Sequence, residues 1–471
     1  MITRRLRSHI VLTHAILASC CSHADLISDW NRIGDSYLSQ NAPNQTERGL
    51  AMMHLAQFDA VNAVVGGFVP YALTVAAPQA SPEAAAAQAA YTVLTNLSRA
   101  NLPEMNTALQ RSLATVPDGQ AKEDGRKLGQ LSAEVILQLR AADNLDLNVT
   151  APSSTAIGRW RPTPPAFTPG VSAELRYLTP FTMTTIAEFR QGPPPALTSA
   201  QYATDYNEVR LIGGRGSAAR SPDQTEAAAF YESLQGTNLW NAVLPARALP
   251  LVESARVFAL GSMVFSDAVA SVCATKYAYG FWRPVTAIRN GELDGNAATP
   301  GDPSWTSFYD THPHPDYPSQ AAQAISAIAE VLISIYGDDF PVTIVTSGVK
   351  NGRKFSRLST LFNDVVTGRV AAGMHFRNSC VVGVATGRRI GRHAVDTFLR
   401  PLPSLAAGQT PGTGRFQLTL DSGRARTSVI QSSSNLVQWQ PWKTNVLGVV
   451  TVTDGAALDG GHQFFRLVDW P

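Results

Sequence analysis

Apolar and polar positions fall into two regimes along the chain. From Asp25 to about Ala406 they recur at three- and four-residue spacing, and after about Gln409 they alternate with period two. In the first regime, Ser81-Pro82-Glu83 opens an Ala-rich run. It supplies an N-cap, a proline at the first helical position and an acid near the positive helix end. Leu128, Leu131, Val135 and Leu139 predict one apolar stripe on a second helix. Residues 251–276 read as one long buried helix, and 320–336 as another that starts at Ser319. Between 150 and 203, proline dominates (Trp160-Arg161-Pro162-Thr163-Pro164-Pro165, then Pro193-Pro194-Pro195), which predicts an extended connection over the surface.

The second regime predicts strands at Phe416–Leu420, Val449–Val452 and Phe464–Leu467. The expected fold is therefore mainly α, with a helical domain over 25–409, a Thr410-Pro411-Gly412-Thr413-Gly414 linker and a small β-sandwich-like module over 415–471. That module clusters no acids, histidines or cysteines, so it reads as an attachment, sorting or packing appendage.

Residues 1–24 do not belong to the fold. Arg4, Arg5 and Arg7 precede a short apolar run from Ile10 to Cys21, and Ser22-His23-Ala24 places small residues at a cleavage site before Asp25. This is the layout of a secretory signal peptide, so the mature chain is expected to be secreted or periplasmic. Leu17-Ala18-Ser19-Cys20 leaves a lipoprotein modified at Cys20 as an alternative, and an uncleaved anchor as another. No later segment reaches the roughly 18 uncharged apolar residues of a spanning helix. The best candidate, 251–275, is interrupted by Glu253, Arg256 and Asp267.

Composition narrows the class. Of 471 residues, 44% are hydrophobic and 16% charged, which excludes a mostly disordered chain. The net charge of +2 is too small for a nucleic-acid binder. Loss of the leader removes three arginines and no acid, so 38 basic residues become 35 against 36 acidic. Four cysteines exclude a disulfide scaffold. Cys273 and Cys380 read as small buried residues, with a disulfide between them as the alternative.

Three separated segments carry candidate chemistry. Lys276-Tyr277-Ala278-Tyr279-Gly280-Phe281-Trp282-Arg283-Pro284 places two cations among aromatics at the end of an apolar helix, where burial demands a compensating anion. Asp316-Tyr317-Pro318-Ser319-Gln320-Ala321 opens a helix, so Ser319 is either a plain cap or, with the first free amides, an anion seat. In Gly368-Arg369-Val370-Ala371-Ala372-Gly373-Met374-His375-Phe376, Gly373 is expected to break a helix and aim His375 inward.

Taken in order, Lys-x6-Arg-Pro, Pro-Ser and Arg-x5-His resemble the signature of the vanadium-dependent haloperoxidases. The related type 2 phosphatidic acid phosphatases share it. The resemblance extends to 51–63, 193–202 and 281–289 and covers 25 to about 400. It implies a helical-bundle core holding vanadate, or phosphate in the same site. Lys276, Arg283 and Arg369 would supply charge, Ser319 and the Gln320 amide neutral donors, and His375 the bond to the metal. It also implies hydrogen peroxide and halide as substrates, or a small phosphoester attacked by His375, and a homodimer. The tail segments 433–439 and 464–467 resemble a C-terminal module common on secreted bacterial proteins.

The second motif departs from the family's Pro-Ser-Gly-His, reading Pro318-Ser319-Gln320-Ala321. The missing His is the family's acid–base group, whose loss typically costs about 10²–10⁴-fold. Gln320 also crowds the anion, and Gly368 stands where the family has serine. His312 and His314 read as exposed loop histidines, with substitution for the missing imidazole as the alternative. Three functions follow: a haloperoxidase, slowed by Ala321; a phosphatase-like hydrolase; or a non-catalytic oxyanion-binding protein.

Overall fold

A computed structural model describes residues 26–42, 45–143, 148–244, 247–409, 416–421, 428–434, 437–445, 449–453 and 464–469. The expected leader, with Cys20, and the linker at 410–414 lie outside the described residues. The chain begins with α1 (Leu26–Asn41), α2 (Thr46–Val65), α3 (Pro82–Leu97), α4 (Leu102–Leu113) and α5 (Gln120–Leu139). After the proline-rich connection come α6 (Ala200–Ile212), α7 (Pro222–Ser233), α8 (Gly236–Val243), α9 (Leu251–Tyr279) and α10 (Pro284–Arg289). The last helices are α11 (Gln320–Tyr336), α12 (Thr360–Ala371) and α13 (Arg377–Thr397). Between α11 and α12, strand β1 (Val342–Ile344) pairs antiparallel with β2 (Arg353–Phe355).

Helix α9 is the spine. It is apolar around its circumference because it is surrounded: α2, α11 and α13 pack on it. By length and composition it could cross a membrane, yet 94% of its most apolar window is buried inside the protein. The polar residues that interrupt it find partners across the core. Asp267 accepts from the amides of Phe181 and Thr182 at 2.8 and 2.7 Å, and Arg256 Nε donates to the Leu399 carbonyl at 2.6 Å. Gly280, at φ +56°, closes the helix with its amide on the Lys276 carbonyl, which fixes Lys276 in the last turn.

Ser81 caps α3 and Ser319 caps α11, as the sequence predicts. The stripe expected on α5 is corrected. Leu128 is buried, but Leu131 and Leu139 are exposed, and the buried face is Gly125, Leu128, Gly129, Ser132, Ala133 and Ile136. Small residues win there because α3 passes close: a Cβ on Gly129 would lie 2.2 Å from the Ala85 carbonyl oxygen. The same device sets α13 on α11. A Cβ on Gly387 would lie 2.1 Å from the Gln323 carbonyl oxygen, so the two helices meet backbone to backbone just below Ser319.

Beyond the helices lie two three-stranded antiparallel sheets. One has the order β3 (Ser404–Gln409), β4 (Phe416–Asp421), β7 (Val449–Thr453); the other β6 (Gln440–Asn445), β5 (Ser428–Ser433), β8 (Phe464–Asp469). Strand β3 lies on the helical side of the boundary expected at Gln409. Ser404-Leu405-Ala406-Ala407-Gly408-Gln409 holds no β-branched or aromatic residue, so its strand character comes from pairing, Leu405 opposite Leu420.

Candidate functional site

The end of α9, the start of α11 and the α12–α13 junction meet at one buried cluster. Lys276 is fully buried, and its Nζ donates to the carbonyls of Pro315 at 2.5 Å and Asp316 at 3.0 Å. Arg283, also fully buried, precedes α10 and spreads its guanidinium across the same loop. Its Nε donates to the His314 carbonyl at 2.8 Å, and Nη1 to the Met374 carbonyl at 2.8 Å. Burial and the neighbouring Arg283 charge push Lys276 well below the usual lysine range. Burial likewise brings Arg283 down to about 10.

Gly373 breaks the chain between α12 and α13 as expected, at φ +76°. A side chain there would strike Ser307 and the Gly213 carbonyl, so the turn is tight as well as left-handed. His375 follows, 1% exposed. Its Nδ1 lies 2.9 Å from Asp316 Oδ1, and its Nε2 lies 3.0 Å from Arg283 Nη1. Because arginine only donates, Nε2 must carry the lone pair and Nδ1 the proton. Burial, then Arg283, Lys276 and Arg369, hold His375 well below the ordinary histidine range, so the ring is neutral.

Asp316 is the residue that sequence reasoning passed over. It is fully buried; its amide donates to the Phe281 carbonyl at 2.9 Å, and its second carboxylate oxygen accepts from Ser379 Oγ. Burial pushes it up to about 6 against the pull of Arg283, Ser379 and Lys276. The only signal in the sequence was its place before Tyr317-Pro318, whose peptide bond is cis.

Arg369, 3% exposed, completes the cation set. Its Nη1 donates to Glu232 Oε2 at 3.1 Å and its Nη2 to Met374 Sδ at 2.7 Å. The other Glu232 oxygen lies 3.7 Å from His312 Nε2. Although burial opposes it, the His312 hydrogen bond and the Arg369 charge hold Glu232 below the usual carboxylate range. His312 is exposed and stacks on His314, centroids 6.0 Å apart. The reading of His314 as an exposed loop histidine is corrected: it is half-buried, and its Nδ1 lies 3.0 Å from Arg283 Nη2. The loop folds back over the guanidinium, which no local pattern encodes.

Ser319 is buried and acts as the cap of α11, accepting from the Ala322 amide at 3.4 Å; Gln320 is the half-buried first residue of that helix. Ala321 packs against the main apolar core. A Cβ on Gly368 would stand 2.5 Å from a Tyr231 ring carbon and 2.8 Å from the Ala227 carbonyl, so the family's serine has no room here. Cys273 and Cys380 are both buried free thiols.

The donor set suits a tetrahedral oxyanion. Three buried cations face two carboxylates, Asp316 and Glu232, and Arg369 Nε is buried without a partner among the described residues. A buried excess of positive charge with an orphaned guanidinium donor is stabilised by an anion.

Known proteins share the fold. Residues 256–403 match the family model of the VCPO second helical-bundle domain. A bacterial vanadium-dependent iodoperoxidase structure superposes with a TM-score of 0.68 at 22% identity, covering 79% of this chain and 96% of that one. An apo-type bacterial vanadium-dependent chloroperoxidase gives a TM-score of 0.58 at 14% identity, over 74% and 92%. The holo-type chloroperoxidase gives 0.60 at 15%, over 74% and 90%. Among curated proteins, no sequence matches. The chain thus has the fold of bacterial vanadium haloperoxidases, and its residues 256–403 match the model of the VCPO second helical-bundle domain.

Proposed function

We propose that the protein is an exported vanadate-dependent peroxidase that oxidises halide with hydrogen peroxide. One observation carries the reading: the neutral Nε2 of His375 opens onto a buried cluster of Lys276, Arg283 and Arg369. Halide oxidation is taken from the fold relatives, described as an iodoperoxidase and chloroperoxidases. In this reading Lys276, Arg283, Arg369, Ser319 and the Gln320 amide hold the anion, and His375 ligates the metal. Vanadate held there would supply Lewis-acid chemistry toward hydrogen peroxide.

The chain's own residues do the rest. Asp316 takes the Nδ1 proton in a hydrogen bond and leaves Nε2 basic, as carboxylates do for ligating histidines. Arg283 covers that lone pair until an anion replaces it, so the site exchanges one charged partner for another. Ala321 cannot move a proton. His314 accepts from Arg283 at Nδ1, which puts its proton on Nε2, and that N–H takes over the missing acid–base role.

The test is vanadate titration beside bromide and iodide oxidation with hydrogen peroxide. Wild type should bind vanadate and oxidise halide, and His375→Ala should do neither. A His375→Ala variant with wild-type vanadate affinity would overturn the site. Hydrolysis of p-nitrophenyl phosphate by vanadate-free protein, lost in His375→Ala, would instead select the phosphatase. Vanadate binding without either activity would select a non-catalytic oxyanion binder.

A further inference from the structure

Met374 stands between two arginines of the oxyanion cluster. Its carbonyl accepts from Arg283 Nη1 at 2.8 Å, and its Sδ accepts from Arg369 Nη2 at 2.7 Å. His375 follows it directly. We infer that Met374 is an oxidation site: hypohalous acid formed at the cluster converts its thioether to the sulfoxide, whose oxygen then occupies Arg369 and shuts the oxyanion site. The inference rests on the haloperoxidase reading above and adds to it a modification by the product of that reaction.

Two observations single out this methionine. The first is its partner. Thioether sulfur is a weak acceptor, so the Nη2 donor of the buried Arg369 is poorly served, and its Nε has no partner among the described residues. A sulfoxide oxygen in the same place accepts a charge-assisted hydrogen bond, which is stronger. The second is its surroundings. Met52, Met53, Met105, Met183 and Met263 sit in the main apolar core, whereas Met374 packs in a separate small cluster with Ala228, Ala371 and Ala372. Phe308 and Tyr309, both only partly buried, pack against that cluster. The sulfur of Met374 therefore lies where the oxidant arises, and those of the core methionines lie in the dry interior.

The chemistry closes in atoms and electrons. The Sδ lone pair attacks the hypohalous acid; an S–O bond forms and the oxygen–halogen bond breaks. Sulfur gives up two electrons, the halogen leaves with them as halide, and the hydroxyl proton passes to water. The buried Lys276, Arg283 and Arg369 stabilise the departing halide. The product is polar where the thioether was apolar, in a residue that is fully buried. With Nη2 held by the sulfoxide and Nη1 by Glu232, Arg369 has less to offer an incoming anion. Oxidation thus lowers vanadate affinity as halide turns over, and reduction of the sulfoxide restores it.

Peptide mass spectrometry of the full-length protein, after turnover with vanadate, bromide and hydrogen peroxide, tests this. Trypsin cuts after Arg369 and Arg377, so Met374 is read in the 370–377 peptide. Wild type should gain one oxygen there before Met52 or Met263 is touched, and vanadate affinity should fall about 10-fold or more as that peptide fills. Peroxide without bromide should leave Met374 intact, and excess free methionine should protect it little, because the oxidant arises beside Sδ. Methionine sulfoxide reductases should restore vanadate affinity. Met374→Leu should keep a larger share of its own initial rate through prolonged turnover. Reagent hypobromous acid separates this inference from the reading beneath it. If wild type oxidises no bromide, the haloperoxidase reading fails, yet selective oxidation of Met374 by the reagent with loss of vanadate binding would still support the oxidation site. Unmodified Met374 after exposure to either source, oxidation equal to that of Met52, equal oxidation without bromide, or unchanged vanadate affinity in the oxidised protein would overturn it.

Discussion

His375 Nδ1 lies 2.9 Å from Asp316 Oδ1, and this contact decides which ring nitrogen is left to bind. Asn at position 316 keeps the shape but loses the charge and the fixed acceptor. Asp316→Asn should therefore fold with a lower melting temperature than wild type, because the buried Arg283 and Lys276 lose a compensating carboxylate. Vanadate affinity should fall about 10–100-fold, as when the partner of a ligating histidine is removed. Turnover should fall by about 10²–10⁴-fold. Vanadate titration and halide oxidation check both, and the ¹⁵N shifts of His375 should report a changed tautomer. Wild-type turnover in this variant would mean that Asp316 does not position the ring.

Gly368 tests the packing behind the cations. Its absent side chain lets α12 press on α7, where Tyr231 also offers its carbonyl to Arg369 Nη1 at 3.3 Å. Gly368→Ser should cost about 1–3 kcal/mol by overpacking. Because Tyr231 must shift, the variant should also bind vanadate more weakly. Urea unfolding and vanadate titration measure the two effects, and retention of both would show that the helices part at no cost.

His314 and His312 share a loop but should behave differently. His314 touches Arg283, whereas His312 is exposed and reaches the cluster only through Glu232. His314→Ala should lower halide-oxidation kcat by about 10²-fold or more if its ring supplies the acid–base function. His312→Ala should lower it by much less. Equal kcat in both variants and wild type would leave the chain with no substitute for the imidazole missing at Ala321.

What the sequence made legible follows from range. Ser81 and Ser319 mark helix starts because caps act within one turn, and both sit where the local pattern places them, whereas α9 runs on to Tyr279, past the end expected at 276. The cations of the site were legible because Lys276 and Arg283 share one segment, and Arg369 and His375 another. Their partners were not. Asp316 reaches His375 across 59 residues and Glu232 reaches Arg369 across 137, and neither separation leaves a period to read. Leu131 and Leu139 misled for another reason. Hydropathy marks what prefers burial, whereas the α3–α5 contact selected what was small enough, Gly125 and Gly129.

His54 gives a prediction on stability that is independent of the oxyanion site. The ring is fully buried, stacked on Phe258 at 5.0 Å, and burial pushes its pKa down to about 3. In the unfolded chain the same group titrates near 6.5. Between these values the unfolded state holds a proton that the folded state cannot take. Stability should therefore fall as pH drops below about 6.5, by about 1.4 kcal/mol per pH unit, until the folded-state pKa is reached. His54→Gln removes the titration while leaving an amide to meet Gln57 and Asn31. Its unfolding free energy should be lower than that of wild type at neutral pH, because the ring's packing on Phe258 is lost. The gap should close as pH falls from 6.5 toward 4. Urea midpoints at several pH values measure this, and parallel curves for the two proteins would show that His54 does not control the acid limb.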